Sequence, residues 1–183
     1  MADSLIPHLA PTFDEPIDML NACHGRVLAQ LDTLRRLVPH LAQNGSDVQA
    51  QQAAGAIMRY FDTAARHHHD DEEVDLLPAL MAGAMPLVVP EVQAVRERIL
   101  AEHARMYALW AALRPQLNDI RLGAGRTLDE ALVAELDELY RAHIDFEEDQ
   151  LLPLARRILD ETKLLPIGAA MTARRTTGSG APG

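Results

Sequence analysis

A repeated segment constrains the fold of this chain more than any other feature of its sequence. The run HHDDEEVDLLPAL from His68 returns as HIDFEEDQLLPLA from His143, with His, Glu-Glu, Leu-Leu and Pro at the same offsets. The run HGRVLAQLDTLRR from His24 corresponds in the same way to HARMYALWAALRP from His103. The chain therefore consists of two halves of similar sequence, which we expect to fold alike.

Each half is predicted to form a pair of amphipathic helices. Apolar residues recur three or four positions apart in four long stretches, which is helical spacing. The second stretch is expected to weaken before Pro78, since proline disfavours helix at the preceding residue, and MAGAMP is expected to form a connector. Capping residues or proline mark the four predicted helix starts, which are Asp14, Ser46, Pro90 and Thr127.

Short loops between long amphipathic helices make consecutive helices antiparallel neighbours. The predicted fold class is all-α, an up-down-up-down antiparallel four-helix bundle made of two pseudo-repeated αα-hairpins. Residues 14–162 are assigned to this bundle and residues 1–13 to an N-terminal extension. Residues 163–183 are assigned to a short terminal helix, around residues 164–175, and a disordered tail, because the end is polar and glycine-rich.

Charge and composition narrow the classes of partner. The formal net charge of −10 leaves no basic footprint for nucleic acid or an anionic membrane. We expect no signal peptide and no run that could span a bilayer. A single cysteine, Cys23, rules out an internal disulfide framework and fits the reducing cytoplasm. The sequence makes no prediction of oligomeric state.

The polar residues within the apolar stripes indicate a metal site. One histidine falls inside each predicted stripe, and a glutamate follows the second and fourth histidines by four residues, on the same helix face. Carboxylates in an apolar core are costly unless they are paired, protonated or bound to a cation. A metal accounts for all six groups together, which are His24, His68, Glu72, His103, His143 and Glu147.

The repeat selects among three adjacent histidines. His69 and Glu73 have the same spacing as His68 and Glu72, but only His68 and Glu72 match the second half when Pro78 is aligned with Pro153. Successive helical residues lie about 100° apart around the axis. His67 and His69 are therefore predicted to point sideways from the site.

The pattern His24, His68-x3-Glu72, His103, His143-x3-Glu147, with its Glu-Glu-x-x-Leu-Leu-Pro endings, resembles the hemerythrin HHE cation-binding family over about residues 15–160. The resemblance implies a bundle that holds two iron ions. It places one iron on His24 and His68 and the other on His103 and His143. Glu72 and Glu147 would bridge the irons, together with an oxo or hydroxo group. Spacing alone would also allow zinc or manganese.

Tyr107 departs from the oxygen-carrying members of that family. Those proteins have a second histidine one turn after the third-helix ligand, where this chain has Tyr107, and their last carboxylate falls at the position of Glu148. The centre is accordingly expected to be either more open or closed by Tyr107, a further candidate ligand. The alternative for Tyr107 is an ordinary buried phenol. This departure favours irreversible oxidation over reversible carriage of O2.

Three uses of such a site are compatible with the sequence. The first is a binding protein that takes up a small diatomic or peroxide ligand, O2, NO or peroxide, for sensing, buffering or iron handling. The second is a di-iron enzyme with peroxidase or nitric-oxide-consuming activity. The third is a metal-stabilised structural bundle without small-molecule chemistry.

Overall fold

The computed structural model describes residues 11–177, and this part of the chain is all-helical, without a strand. Two uninterrupted helices are α1 (Pro16–Asn44) and α5 (Val89–Arg121). No helix in residues 11–177 is both long and apolar enough to cross a membrane. Most of the predicted extension (residues 1–10) and the end of the predicted tail (residues 178–183) lie outside the described residues.

The other helices include turns of π-helix, in which the backbone hydrogen bonds join residues five apart. One continuous helix over residues 48–83 comprises α2 (Val48–Arg59), π1 (Tyr60–Ala64), α3 (Ala65–Asp70), π2 (Asp71–Leu76) and α4 (Leu77–Gly83). Another, over residues 130–158, comprises α6 (Glu130–Phe146), π3 (Glu147–Leu151) and α7 (Leu152–Ile158). The last helix is α8 (Glu161–Thr177).

The helix over residues 48–83 continues through Pro78 to Gly83, so the predicted weakening at Pro78 was wrong. The connector before α5 includes only the last three residues of MAGAMP. A proline ring clashes with the carbonyl group four residues earlier and donates no hydrogen bond. In π2 the wider turn accommodates it, and the amide of Leu77 donates to the carbonyl of Glu72, five residues back. The repeat does the same at Pro153, where Leu152 donates to the carbonyl of Glu147.

Aspartates cap two of the helices in place of the predicted residues. Asp47, not Ser46, begins the second helix, and its carboxylate accepts from the amide of Ala50 at 2.8 Å. Asp129, not Thr127, caps α6 and accepts from two amides of the first turn. An aspartate carboxylate at this position satisfies amides that have no partner within the helix.

The helices pack in a closed arrangement around two apolar cores. Helix α1 contacts α2 and α6, and α5 also contacts α2 and α6. One core lies around Leu31 and Leu113, the other around Leu20 and Ile99. Helices α1 and α5 run from the second core into the first. The helices over residues 48–83 and 130–158 run from the first core into the second.

The terminal helix α8 is longer than the predicted segment of residues 164–175 and is anchored by ion pairs. Its Arg175 donates to the buried carboxylate of Asp71 at 2.6 Å, and Arg174 contacts both Asp71 and Asp75. Breaking a buried ion pair by removing one partner is costly, because it leaves a charge without compensation. These contacts fix α8 against π2, on the helix that carries His68.

Shortening Leu113 to alanine should lower the free energy of unfolding by about 2–5 kcal/mol, because this fully buried side chain would leave a cavity in the first core. Chemical denaturation monitored by helical circular dichroism measures the change. The matched control is Leu122→Ala, since Leu122 is 62% exposed and should change stability by less than about 0.5 kcal/mol. Equal losses in both variants would contradict this description of the core.

Candidate metal centre

The six predicted ligands meet in one layer between the two apolar cores. On α1, His24 lies between Leu20 of the second core and Val27 of the first. On α5, His103 lies likewise between Ile99 and Met106. Every residue of the set is at most 3% exposed, and the set is His24, His68, Glu72, His103, His143 and Glu147.

Each carboxylate lies close to one histidine of the pair His24 and His68 and to one histidine of the pair His103 and His143. In Glu147, Oε2 lies 3.0 Å from Nε2 of His24, and Oε1 lies 2.9 Å from Nε2 of His143. In Glu72, Oε1 lies 3.2 Å from Nε2 of His68, and Oε2 lies 3.3 Å from Nε2 of His103. The two oxygens of each glutamate thus point to different histidine pairs, which is the arrangement a carboxylate needs to bridge two cations.

The donor atoms form two overlapping groups, either of which could hold a metal ion. Within each group, one donor atom from every residue lies within 4.8 Å of the others. Both groups contain Glu72 and Glu147, and they differ only in their histidines. The first contains His24 and His68, and the second contains His103 and His143, in the division that the resemblance implies.

Several donor atoms of this layer have no hydrogen-bond partner among the described residues. They include Nε2 of His24 and all four carboxylate oxygens of Glu72 and Glu147. Buried polar atoms nearly always have a hydrogen-bond partner, whereas these carboxylate oxygens have imidazole nitrogens at 2.9–3.3 Å and no hydrogen bond, which is costly unless a cation is bound. The donor set, imidazole nitrogens and carboxylate oxygens, suits iron, zinc and manganese. The residues present therefore fit a metal ion.

The charges of the neighbouring groups shift several pKa values in this layer. Burial alone would raise the pKa of Glu147, but the imidazoles of His143, His24 and His68 hold it well below its usual range. Burial opposes protonation of His143, yet Glu147 and Glu102 raise its pKa to about 9. The layer thus favours a carboxylate ion surrounded by cationic groups.

Carboxylates outside the layer orient three of the four histidines. The Nδ1 atoms of His24, His103 and His143 donate to Glu148, Glu73 and Glu102 at 2.8, 2.7 and 2.7 Å. Such a bond fixes the tautomer of a histidine and directs its Nε2 toward a metal. These residues were not predicted from the sequence, although the second glutamate of each Glu-Glu pair, Glu73 and Glu148, was a signal for two of them.

The fourth histidine of the set, His68, has a sulfur neighbour where the repeat has a carboxylate. Cys23 precedes His24 as Glu102 precedes His103, so the two positions are equivalent. Cys23 is buried, and its sulfur accepts from Arg26 at 3.1 Å. Burial opposes ionisation, but His68 and Arg26 together lower the pKa of the thiol. The two halves of the site are therefore not chemically identical.

His69 faces the site, so the prediction that it points sideways was wrong. Its ring stacks on that of His103, with centroids 3.9 Å apart and planes inclined by 15°. The helix over residues 48–83 has α1 on one side and α5 on the other, so adjacent histidines reach different neighbours. Burial and the nearby His103 lower the pKa of His69. His67 is partly exposed.

Tyr107 lies beside His69 at the margin of the layer. The centroids of the two rings are 5.3 Å apart in an edge-on contact, and the Tyr107 side chain is partly exposed. Burial, together with Glu73 and Asp70, raises the pKa of the phenol to about 12. Without a metal the phenol is therefore protonated at neutral pH, and its ligation of iron stays a prediction.

Comparison with known proteins agrees with this geometry. The hemerythrin family, described as the Hemerythrin HHE cation binding domain, matches residues 15–155, which include the whole layer. An uncharacterized protein of Haemophilus influenzae is 32% identical over 171 residues, which cover 93% of this chain and 96% of that protein. The chain belongs to the hemerythrin HHE cation-binding family.

Proposed function

We propose that this protein is a non-haem di-iron protein that binds or reacts with O2, NO or peroxide. The observation that carries the proposal is the position of Glu72 and Glu147. Each glutamate has one carboxylate oxygen close to the first histidine pair and the other oxygen close to the second. His24 and His68 would hold one iron, and His103 and His143 the other. When bound, the iron pair supplies one-electron redox chemistry and an exchangeable coordination position.

The proposed fold is an up-down-up-down four-helix bundle with α8 packed against it. The alternating direction in which the four helices pass between the two cores supports this topology.

The residues of the cores have a role in the chemistry as well. Leu20 and Ile99 on one side, and Val27 and Met106 on the other, exclude water and bulky molecules from the layer. Such burial favours a small ligand, a diatomic gas or a peroxide, over a bulky one.

The chain's own polar residues set the charge and orientation of the site. Glu73, Glu102 and Glu148 hold imidazole rings with Nε2 toward the centre.

We further propose that the protein is cytoplasmic and has no nucleic-acid or membrane partners. The net charge of −10 and the single free cysteine support this proposal.

Replacing either bridging candidate, Glu72→Ala or Glu147→Ala, should remove at least one iron per chain, because each carboxylate serves both histidine groups. Iron content by elemental analysis and the optical spectrum of aerobically purified protein measure this. Glu138→Ala, an exposed glutamate on α6, is the control and should keep both irons. A single zinc in the parent protein, or full iron content in both variants, would contradict the proposed centre.

Removing the metal should lower the melting temperature clearly. Without it, four imidazoles and two carboxylates lie in one buried layer and must ionise, hydrate or separate. Thermal unfolding of chelator-treated protein, compared with the same sample after iron is added back, gives the measurement. An unchanged melting curve for protein verified to be metal-free would count against a metal-dependent fold.

Exposure of the reduced protein to O2 separates the candidate activities. We expect rapid conversion to a stable ferric form. If the Tyr107 phenolate binds ferric iron, it should add a visible absorption band, and Tyr107→Phe should abolish that band. Repeated clean oxygenation and deoxygenation would contradict this and indicate a carrier. Turnover of peroxide or NO would indicate an enzyme, and stoichiometric uptake would indicate a binding protein. No reaction with O2, NO or peroxide would indicate a structural bundle.

A further inference from the structure

Resting on the proposed di-iron centre, we propose that His69 is the hydrogen-bond donor for the small ligand that binds the metal held by His103 and His143. That ligand, O2, NO, a peroxide or an anion of similar size, would take an exchangeable coordination position of this metal. The imidazole N–H of His69 would donate to it, and His69 itself would not bind the metal. His69 is in this sense a specificity-determining residue, because it favours ligand binding at one of the two metals.

The stacking of His69 on His103 places its ring beside the second metal. The two ring centroids are 3.9 Å apart, and the ring planes are inclined by 15°. An imidazole nitrogen binds a metal in the plane of its own ring, so two rings stacked face to face do not share one metal ion. A coordination position that rises from the face of the His103 ring, however, extends toward the layer that the His69 ring occupies.

The distances of His69 to both histidines of this pair agree with such a role. One ring nitrogen of His69 lies within 4.8 Å of a ring nitrogen of His103 and of a ring nitrogen of His143. The rings of His69 and His143 also meet edge-on, with centroids 6.3 Å apart. His69 thus borders the space in which a small molecule on the second metal would lie.

The hydrogen bonding of His69 indicates that a partner is missing. His69 is 1% exposed, and neither of its ring nitrogens has a hydrogen-bond partner among the described residues. An imidazole has at least one N–H donor in either protonation form, and a buried donor without an acceptor is costly. A ligand in the exchangeable position would supply the acceptor that the protein does not.

Aromatic contacts, and not hydrogen bonds, hold the His69 ring in place. Besides its stack on His103, the ring lies nearly parallel to that of Tyr140, with planes inclined by 21° and centroids 5.9 Å apart. The ring of Tyr107 meets it edge-on at 5.3 Å. A donor that is fixed before the ligand arrives requires no reorganisation when the ligand binds.

The internal repeat shows that this donor has no counterpart in the other half of the chain. His68 corresponds to His143, so the residue equivalent to His69 is Ile144, which is buried in the first core. An isoleucine side chain donates no hydrogen bond. The two metals would therefore differ in their affinity for a ligand although the surrounding hairpins are similar in sequence.

The test separates hydrogen bonding from stacking with two variants of His69. His69→Phe keeps a flat ring on His103 but removes the N–H, whereas His69→Gln removes the ring but keeps N–H donors. The probe is azide, a small anion that binds ferric iron and accepts hydrogen bonds. It is titrated into the oxidised, iron-loaded protein, and its visible charge-transfer band gives the affinity.

His69→Phe should bind azide at least about tenfold more weakly than the parent protein, because hydrogen bonds to charged groups are the strong ones. His69→Gln should bind azide more tightly than His69→Phe. The matched control is His67→Phe, at an adjacent and partly exposed histidine, which should keep the parent affinity. His69→Leu, a smaller side chain without a donor, replaces His69→Phe if that variant does not retain iron.

Infrared spectroscopy of the azide-bound protein in H2O and in D2O gives a second readout, which a purely structural role would not move. Exchange of a donating N–H for N–D shifts the stretching band of the azide. We expect this shift in the parent protein and in His67→Phe, and no shift in His69→Phe.

Three results would overturn the inference while leaving the di-iron centre intact. The first is parent affinity in His69→Phe with weak binding in His69→Gln, which would show that the ring only stacks. The second is a parent protein that holds two irons but binds no azide. The third is an azide band of the parent protein that is the same in H2O and D2O. Absence of an iron pair in the parent protein would instead overturn both proposals.

Discussion

The structure depends on the burial of two carboxylates among imidazoles. Glu72 and Glu147 are fully inaccessible to solvent, and their oxygens face four histidines at 2.9–3.3 Å. Moving a carboxylate into an apolar core costs several kcal/mol unless opposite charge compensates it. The residues around the layer set its water content and its geometry. The two cores exclude water, three outer glutamates orient the rings, and the hairpin repeat brings one histidine from every long helix to the same level.

The backbone of the ligand-bearing helices is adapted to the same layer. Both bridging candidates lie in the first turn of a π-helical segment, Glu72 in π2 and Glu147 in π3, and a proline follows each segment. A π-helical turn widens the helix and changes the direction in which later side chains project. The ion pairs between α8 and Asp71 then hold π2 from outside. The repeated Glu-Glu-x-x-Leu-Leu-Pro motif thus encodes both the donor atoms and the backbone that presents them.

The repeat and the apolar spacing were sufficient to predict an all-helical chain and the six residues that the structure brings together. They failed where a residue's environment depends on two neighbouring helices at once. His69 was predicted to point away from the site because His68, and not His69, aligns with His143. Packing against α5 instead places the His69 ring on that of His103. The π-turns were missed because helix propensity treats proline as a break. The Nδ1 partners were missed because hydrogen bonds such as that of His24 with Glu148 join residues distant in sequence.

The most direct test of the account is anomalous diffraction from crystals of the iron-loaded protein, with data collected on either side of the iron absorption edge. We predict two peaks within one molecule. One should lie between His24 and His68 and the other between His103 and His143, with the carboxylates of Glu72 and Glu147 spanning them. A single peak, a peak outside this layer, or a layer without metal in protein that contains iron would contradict it.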